Sequence, residues 1–265
     1  MIKKYRKPYR VKRRRSVFKN QFFWLGILIL LIFGGIFYLI CFSSPFQIKE
    51  IKISGNQKIQ TQALQNLIQE QIVNKFFLFT SRSIFLANFL QIKAKISETF
   101  PQIAQINLKR EFPDTLTATV EERKPAAVFN QEGLYFFLDK EGVIFEDTPV
   151  ETPLVKIQKA TQDEELKLGN RVLEKELLLS ILEIESKLEN NLKIPIEEVL
   201  TVSDERIDLK TSEGWEIYLN PKGDVDWQLT KLSEVLEKEI PPEKKRNLEH
   251  IELRFGNFAP YKYKD

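Results

Sequence analysis

Residues 108–129 read LKREFPDTLTATVEERKPAAVF, and this stretch decides the fold that the sequence predicts. From 115 to 123 apolar and polar residues alternate, which is the two-residue period of a half-buried β-strand. Pro113 and Asp114 come just before this run and are residues typical of turns. The segment before them, 103–112, also alternates. We therefore expect two strands joined by a turn, each with one face on a core and the other in water.

The segments upstream complete a small α+β unit. An alternating segment at 46–56 is predicted to be a first strand, and apolar stripes at helical spacing predict helices over 61–72 and 81–100. Thr61 and Ser83 are the predicted N-caps of these helices. The order β-α-α-β-β lets two helices cover one face of a three-stranded sheet while the other face stays in water.

An uncharged run of 21 residues, FFWLGILILLIFGGIFYLICF, occupies 22–42. As a helix it would span about 31 Å, close to the ~30 Å hydrocarbon core of a bilayer. It is longer than the apolar part of a signal peptide and has no small-x-small cleavage site. Lipidation of Cys41 is the alternative, which the bulky Ile40 disfavours. We predict a transmembrane helix whose anchoring aromatic residues are Phe22, Trp24, Tyr38 and Phe42.

Charge is distributed unevenly along the chain. Residues 1–21 hold ten Lys or Arg and no acidic residue, so a net charge of +3 leaves −7 on the remainder. Such a basic tail before a membrane helix predicts a cytoplasmic N-terminus and export of residues 43–265. Contact of the tail with anionic lipid is expected, and nucleic-acid binding is the weaker alternative. The single Cys excludes an intramolecular disulfide.

The remainder of the chain predicts a mixed β-sheet with two helices. Strands are expected at AAVF (126–129), in hairpins over 135–147 and 206–220, and in a final strand over 248–264, with helices over 174–188 and 225–240.

Motifs that carry chemistry are not found in the sequence. His250 is the single histidine and has no second His or Cys nearby, so it is interpreted as ordinary structure. No P-loop, GxGxxG, GxSxG or HExxH motif occurs. Carboxylate pairs such as Glu121-Glu122 and Glu197-Glu198 are more typical of a solvated acidic surface than of glycan hydrolysis. We predict a protein that is not an enzyme and has no cofactor or metal.

The anchor, the β-α-α-β-β unit and the hairpin after it together resemble the bacterial FtsQ/DivIB family of cell-division proteins. The resemblance rests on IKISGN after the first strand, on FPDTLTATVEERKPAAVF, and on YFFLDKEGVIFED. It implies a POTRA domain over 46–123 and an FtsQ-type β-domain over 124–265. Two departures lie near the end of the chain: Glu252 stands where the family has Asp, and Pro260 interrupts the last strand.

The resemblance also implies a role, namely a scaffold of the divisome in the bacterial plasma membrane at the division septum. Its implied partners are bitopic proteins of the FtsB/FtsL type, with other division proteins docking on IKISGN and the Ile103–Arg123 strands. The alternatives are a POTRA-bearing component of outer-membrane protein assembly and a membrane-anchored cell-wall enzyme. The former usually has several POTRA repeats or a barrel, and the sequence predicts neither.

A last strand at the end of the chain is expected to form a sheet edge, to which a partner can add a strand. Aromatic residues crowd this segment, and aromatic side chains are frequent anchors of interfaces. With the resemblance, the predicted partner-binding residues are Arg254, Phe255, Gly256, Asn257, Phe258, Tyr261 and Tyr263.

Overall fold

The computed structural model describes residues 20–76, 79–149, 152–161 and 166–264. The basic tail predicted for residues 1–21 lies outside this part of the chain, except for Asn20 and Gln21. The helices are α1 (Gln21–Phe42), α2 (Thr61–Gln71), α3 (Phe89–Thr99), α4 (Lys175–Leu192) and α5 (Val225–Lys238). The strands are β1 (Glu50–Ser54), β2 (Asn74–Phe76), β3 (Phe79–Ser81), β4 (Ile103–Glu111), β5 (Thr115–Glu122), β6 (Ala127–Gln131), β7 (Leu134–Leu138), β8 (Ile144–Asp147), β9 (Lys156–Lys159), β10 (Ile196–Ser203), β11 (Arg206–Thr211), β12 (Glu216–Leu219), β13 (Leu248–Glu252) and β14 (Tyr261–Tyr263).

These elements form two compact units. The first consists of Met1–Ile53, Gln65–Ile92 and Leu108–Ala118, and the second of Ser54–Leu64, Lys93–Asn107 and Thr119–Asp265.

Helix α1 confirms the predicted apolar helix. Its 22 residues have a mean hydropathy of 2.8 in their most apolar window, and by length and composition it is the one helix among the described residues that is able to cross a membrane. The Asn20 side chain caps its start by accepting a hydrogen bond from the Phe22 N–H at 3.1 Å. Phe22, Trp24 and Tyr38 are exposed on its surface, and Phe42 is half-buried. The helix fits a single-pass membrane protein.

The predicted strand pair belongs to a three-stranded sheet with the order β1-β5-β4. In β5 the side chains of Leu116, Ala118 and Val120 are buried, as the alternation predicted. The turn before β5 contains a cis peptide bond between Phe112 and Pro113.

Gly55, just after β1, has a φ of +87°. A Cβ there would come within 2.1 Å of the Val120 carbonyl oxygen, so both the backbone angle and the close approach of β5 require glycine.

The structure adds a hairpin between the two helices that was not predicted, and the predicted start of the second helix was wrong. A short antiparallel hairpin of β2 and β3 separates α2 from α3, and α3 begins at Phe89 rather than at 81. Ser83 does not cap α3, because its hydroxyl donates to the Ile40 carbonyl at 2.6 Å. The Asn88 side chain accepts from the Gln91 N–H at 3.3 Å instead. The periodicity of a short apolar segment does not distinguish a helix from a strand, so the residues between 81 and 88 were wrongly assigned to the helix.

Thr61 is likewise not the cap of α2, since it is the first residue of that helix. Its hydroxyl accepts a hydrogen bond from the Asn56 side chain at 3.0 Å. The predicted apolar stripe of α2 is confirmed by Leu64, Ile68 and Ile72, which are buried.

The second unit contains a nine-stranded sheet with the order β14-β13-β12-β11-β10-β9-β6-β7-β8. The sheet is mixed, because β9 is parallel to β6 and β10, and β12 is parallel to β13, whereas the other neighbours are antiparallel. The hydrophobic core includes residues of α4 and α5 together with Trp215, which is fully buried. This architecture confirms the predicted α+β class.

Two features of this sheet were not predicted. The central strands β9 and β10 were missed, although β10 has eight residues. The segment 248–264 was expected to be one strand, but β13 ends at Glu252 and β14 begins at Tyr261. The residues between them form a loop in which Pro260 interrupts the strand, as its position suggested.

Candidate partner-binding edge

The candidate site is the C-terminal edge, by which we mean β13, β14 and the 253–260 loop between them. Strand β14 lies at one end of the nine-stranded sheet and pairs antiparallel with β13, with Ile251 opposite Tyr261. The Glu252 N–H donates to the Pro260 carbonyl at 2.8 Å, and the Lys264 N–H to the Asn247 carbonyl at 2.8 Å. Positions 260, 262 and 264 therefore turn their backbone toward β13.

Backbone groups alternate along an antiparallel strand, so the intervening positions point the opposite way. The N–H groups of Tyr261 and Tyr263 thus lie on the outer side of β14, where a strand from a partner would pair. Tyr261 is exposed, whereas Tyr263 is half-buried and packs against the hydrophobic core. The two rings meet edge to face with their centroids 5.6 Å apart.

The 253–260 loop presents large apolar side chains to solvent. Phe255 is 57% exposed and Phe258 is 77% exposed. Gly256 and Asn257 between them are also exposed, and the Phe258 N–H closes the turn by donating to the Phe255 carbonyl at 3.0 Å. Exposed aromatic side chains held on a short turn are typical of an interaction surface.

Lys231 of α5 holds this loop from beneath and was not found by sequence reasoning. Only 6% of the residue is exposed, and its ammonium group donates to carbonyl oxygens of the loop. The acceptors are those of Leu253 at 2.6 Å, Gly256 at 2.9 Å, Phe258 at 3.2 Å and Phe255 at 3.4 Å. Burial lowers the pKa of Lys231, and the nearby Glu252 carboxylate opposes that shift.

A signal for Lys231 does exist in the sequence. It precedes the buried Leu232 and lies one turn before Val235, which places it at the border of the apolar stripe of α5. A lysine there buries its aliphatic stem and needs acceptors for its ammonium group. The partner carbonyls lie more than twenty residues away, so their identity is not readable from the helix pattern.

Trp227, also in α5, adds a second contact to the loop. Its indole N–H donates to the Gly256 carbonyl at 3.3 Å. A cavity of about 420 Å³ opens between α5 and the loop, and its lining includes Trp227, Thr230, Val235, Asn257 and Ala259. The C-terminal edge thus has an outer strand, two exposed phenyl rings and a cavity lined in part by the Trp227 indole.

A cluster of ion pairs lies on the neighbouring strands. Arg254 grips Glu252 through two hydrogen bonds of 2.8 and 2.6 Å, and Arg206 grips Asp208 through two of 2.8 and 2.9 Å. Burial disfavours the charged form of Glu252, but the hydrogen bonds and charge of Arg254 outweigh it, so the pKa of Glu252 lies below its usual value. The guanidinium group of Arg254 is therefore engaged within the chain.

An aromatic pair lies beside these ion pairs. The Arg206 guanidinium lies over the Tyr218 ring at 4.7 Å, and the Tyr218 ring stacks on His250 with centroids 4.7 Å apart. Burial, with a hydrogen bond to Glu216, raises the pKa of Tyr218 to about 12. Within the described ranges, no group of three or more His, Cys, Asp and Glu side chains is placed to hold a metal.

The charged residues at the end of β5, which belong to the predicted POTRA docking surface, form hydrogen bonds and an ion pair within the chain. The Glu122 carboxylate accepts the backbone N–H groups of Gln57, Lys58 and Ile59 at 2.8 to 3.0 Å. Burial opposes its ionisation, but these three hydrogen bonds outweigh it and lower its pKa. The half-buried Arg123 forms an ion pair with the buried Asp139 and donates to the Pro101 carbonyl at 3.0 Å.

The predicted partner-binding residues therefore lie together at one sheet edge, in three environments. The exposed ones are Phe255, Gly256, Asn257, Phe258 and Tyr261. Arg254 is half-buried and paired, and Tyr263 turns partly into the core.

An apolar N-terminal helix, a three-stranded sheet with helices and a nine-stranded mixed sheet define a class: α+β proteins with a helix able to cross a membrane. Comparison with known families supports this. The family model described as "POTRA domain, FtsQ-type" matches residues 46–123, and the one described as "Cell division protein FtsQ/DivIB, C-terminal" matches residues 127–254. The chain belongs to the FtsQ/DivIB family.

Curated relatives agree with this assignment. The chain is 22% identical to the cell division protein FtsQ of Streptomyces bingchenggensis over 188 residues, which cover 70% of this chain and 66% of the relative. It is 30% identical to the cell division protein DivIB of Clostridium acetobutylicum over 108 residues, 40% of each chain. It is 31% identical to the FtsQ of Allochromatium vinosum over 124 residues, 46% of this chain and 45% of the relative. The matches thus span about two thirds or less of each relative's length.

Proposed function

We propose that this chain is a non-enzymatic scaffold of the divisome that captures bitopic division proteins of the FtsB/FtsL type at its C-terminal edge. Membership of the FtsQ/DivIB family supports a role in cell division. In this proposal α1 anchors the chain in the plasma membrane at the septum, with the N-terminus in the cytoplasm and residues 43–265 exported.

Capture takes place by strand addition. A partner segment pairs with the outward N–H and C=O groups of Tyr261 and Tyr263, extending the sheet beyond β14. The rings of Phe255 and Phe258 pack against that segment and become buried, and a partner side chain fills the cavity beside Trp227. The observation that carries the proposal is the combination of an edge strand with exposed phenyl rings fixed by Lys231.

The POTRA region provides a second docking surface for other division proteins. Strands β1 and β4 are the two edges of its sheet, so either can accept a partner strand. The alternative role, in outer-membrane protein assembly, has less support, because the second half of the chain matches the C-terminal region of FtsQ/DivIB.

The test separates backbone pairing from side-chain contact at one residue. Tyr261→Pro removes both the outward N–H and the ring, whereas Tyr261→Ala removes the ring and keeps the N–H. The full chain, purified in detergent, is titrated with the exported segment of an FtsB-type protein from the same genome. We expect Tyr261→Ala to weaken binding and Tyr261→Pro to abolish it. Equal binding by both variants would rule out strand addition beside β14.

A further inference from the structure

The first unit exposes an aromatic surface that the proposed function does not use. Phe85 stands between Phe46 and Phe112, with ring centroids 5.3 Å from each. Phe112 is 61% exposed and Phe85 is 42% exposed. We call these three residues the aromatic cluster. Adjacent phenyl rings open to water are unfavourable unless something apolar covers them.

The aromatic cluster is tied to the end of α1 by hydrogen bonds. The hydroxyl of Ser83 donates to the Ile40 carbonyl at 2.6 Å, and the hydroxyl of Ser81 donates to the Cys41 carbonyl. The Gln47 side chain donates to the same Cys41 carbonyl at 3.0 Å. These donors satisfy carbonyl groups that the last turn of a helix leaves without partners. Phe85 is therefore two residues from a direct bond to the last turn of α1.

The segments that bear the rings are also fixed to each other. The Ile84 N–H donates to the Phe46 carbonyl at 2.9 Å, and the Ile48 N–H donates to the Arg82 carbonyl at 3.0 Å. From β4, the Arg110 guanidinium donates to the carbonyls of Ile84 at 2.7 Å and Ala87 at 2.8 Å. These hydrogen bonds fix the backbone of the segments that carry Phe46 and Phe85.

We propose that the aromatic cluster rests in the headgroup region of the same bilayer that α1 spans. Helix α1 has 22 residues, or about 33 Å, so its end at Phe42 reaches the edge of the hydrocarbon core. Phe46 follows after one 3-10 turn of about 6 Å, which is within the depth of the headgroup layer. Phe side chains of interfacial segments are buried at the boundary between headgroups and acyl chains, which is that depth.

The polar surroundings suit the same position. Arg82, between the two serines that hold α1, is exposed and can meet lipid phosphates. The proposal requires that α1 lies in a membrane and is independent of partner capture at the C-terminal edge. Its consequence is that the first unit has a fixed membrane-facing side rather than swinging freely on the anchor.

The test measures the depth of one ring in the full chain. Phe112→Trp is made in a Trp24→Phe background and reconstituted in vesicles of phosphatidylethanolamine and phosphatidylglycerol. The acyl chains of these lipids carry bromine at carbons close to the headgroup, and bromine quenches indole fluorescence. Leu134→Trp, at an exposed position of β7, is the matched control. The emission of the Trp24→Phe parent is subtracted from both, which leaves the emission of the introduced indole alone.

We expect bromolipid to remove about half of the emission that Phe112→Trp introduces and to leave that of Leu134→Trp unchanged. Acrylamide dissolved in the water should quench Leu134→Trp more strongly than Phe112→Trp. Equal quenching of both variants by acrylamide and none by bromolipid would overturn the proposal. Protection of the Phe112→Trp indole from both quenchers would also overturn it, because the covering partner would then be protein, such as a second copy of the chain.

Discussion

The end of β5 and the 253–260 loop use their side chains in opposite ways. At the end of β5 the charges of Glu122 and Arg123 are engaged by backbone groups and by Asp139, so little of their chemistry is left for another molecule. In the loop a buried lysine satisfies the backbone carbonyls, and Phe255 and Phe258 stay in solvent. The dense run of charges supports the chain internally, whereas the exposed apolar turn is the surface proposed for a partner.

The largest expected effect comes from breaking the support at the end of β5. Asp139→Ala leaves the half-buried Arg123 without its carboxylate partner and removes the acceptor for the N–H groups of Glu141 and Val143. We expect the free energy of unfolding to fall by about 3–5 kcal/mol. Denaturant unfolding of the full chain in detergent, followed by circular dichroism, measures it. Lys175→Ala, which breaks an exposed pair with Glu141, is the control and should cost at most about 1 kcal/mol.

Removing the support of the loop should have a smaller effect on stability and a specific effect on the loop. Lys231→Met keeps the apolar stem and deletes the ammonium donor, leaving four carbonyls without it, and we expect a loss of about 1–3 kcal/mol. Hydrogen exchange measured by mass spectrometry should show faster exchange in the 253–260 loop. Lys238→Met, at an exposed pair with Glu234 on the same helix, is the control. If both variants leave the loop equally protected, Lys231 does not hold it.

A pH titration tests the ion pair between Glu252 of β13 and Arg254 of the 253–260 loop. The pKa of Glu252 lies below its ordinary value of 4.5 in the folded chain, so the unfolded chain binds more protons between the two values. The contribution of Glu252 to stability is therefore complete above pH 4.5 and is lost as the pH falls through the folded pKa. Glu252→Gln should flatten this part of the curve of unfolding free energy against pH. An unchanged slope would show that Arg254 does not hold the carboxylate.

The smallest effect on stability is expected at the surface proposed for a partner. Phe255→Lys changes a side chain that is mostly in water, so the free energy of unfolding should move by no more than about 0.5 kcal/mol. Capture of the FtsB-type segment should nevertheless be lost, because an ammonium group would replace an apolar anchor. Leu134→Lys is the control at another exposed apolar position. Retained capture by Phe255→Lys would place the site elsewhere.

Patterns local to one element were predictable. The alternation of β5 and the apolar length of α1 indicated those elements directly. The two predicted hairpins are also present, and Gly142 and Gly214 lie in their turns with φ of +78° and +85°. The expected edge strand at the end of the segment 248–264 is confirmed for β14, whereas β13 is an inner strand.

What escaped prediction depends on partners distant in the sequence. Ser83 is a residue type that often caps helices, but its hydroxyl donates a hydrogen bond to a carbonyl 43 residues earlier. Lys231 belongs to a helix whose pattern does not reveal that a loop folds over it, and Glu122 meets N–H groups more than sixty residues away. Strands β9 and β10 pair with each other in parallel across α4, an arrangement that local alternation does not indicate.

The position of β14 in the chain also sets a time order. Its sheet partner β13, the buried Lys231 and the exposed loop all precede Tyr261, so the candidate edge is incomplete until residues up to 263 have been synthesised. Synthesis adds about 5–20 residues each second, whereas local hairpins form within microseconds. A chain still leaving the ribosome can therefore fold its earlier strands but cannot present the finished edge. In the proposed function, capture of a partner at this edge would therefore require that synthesis has reached β14.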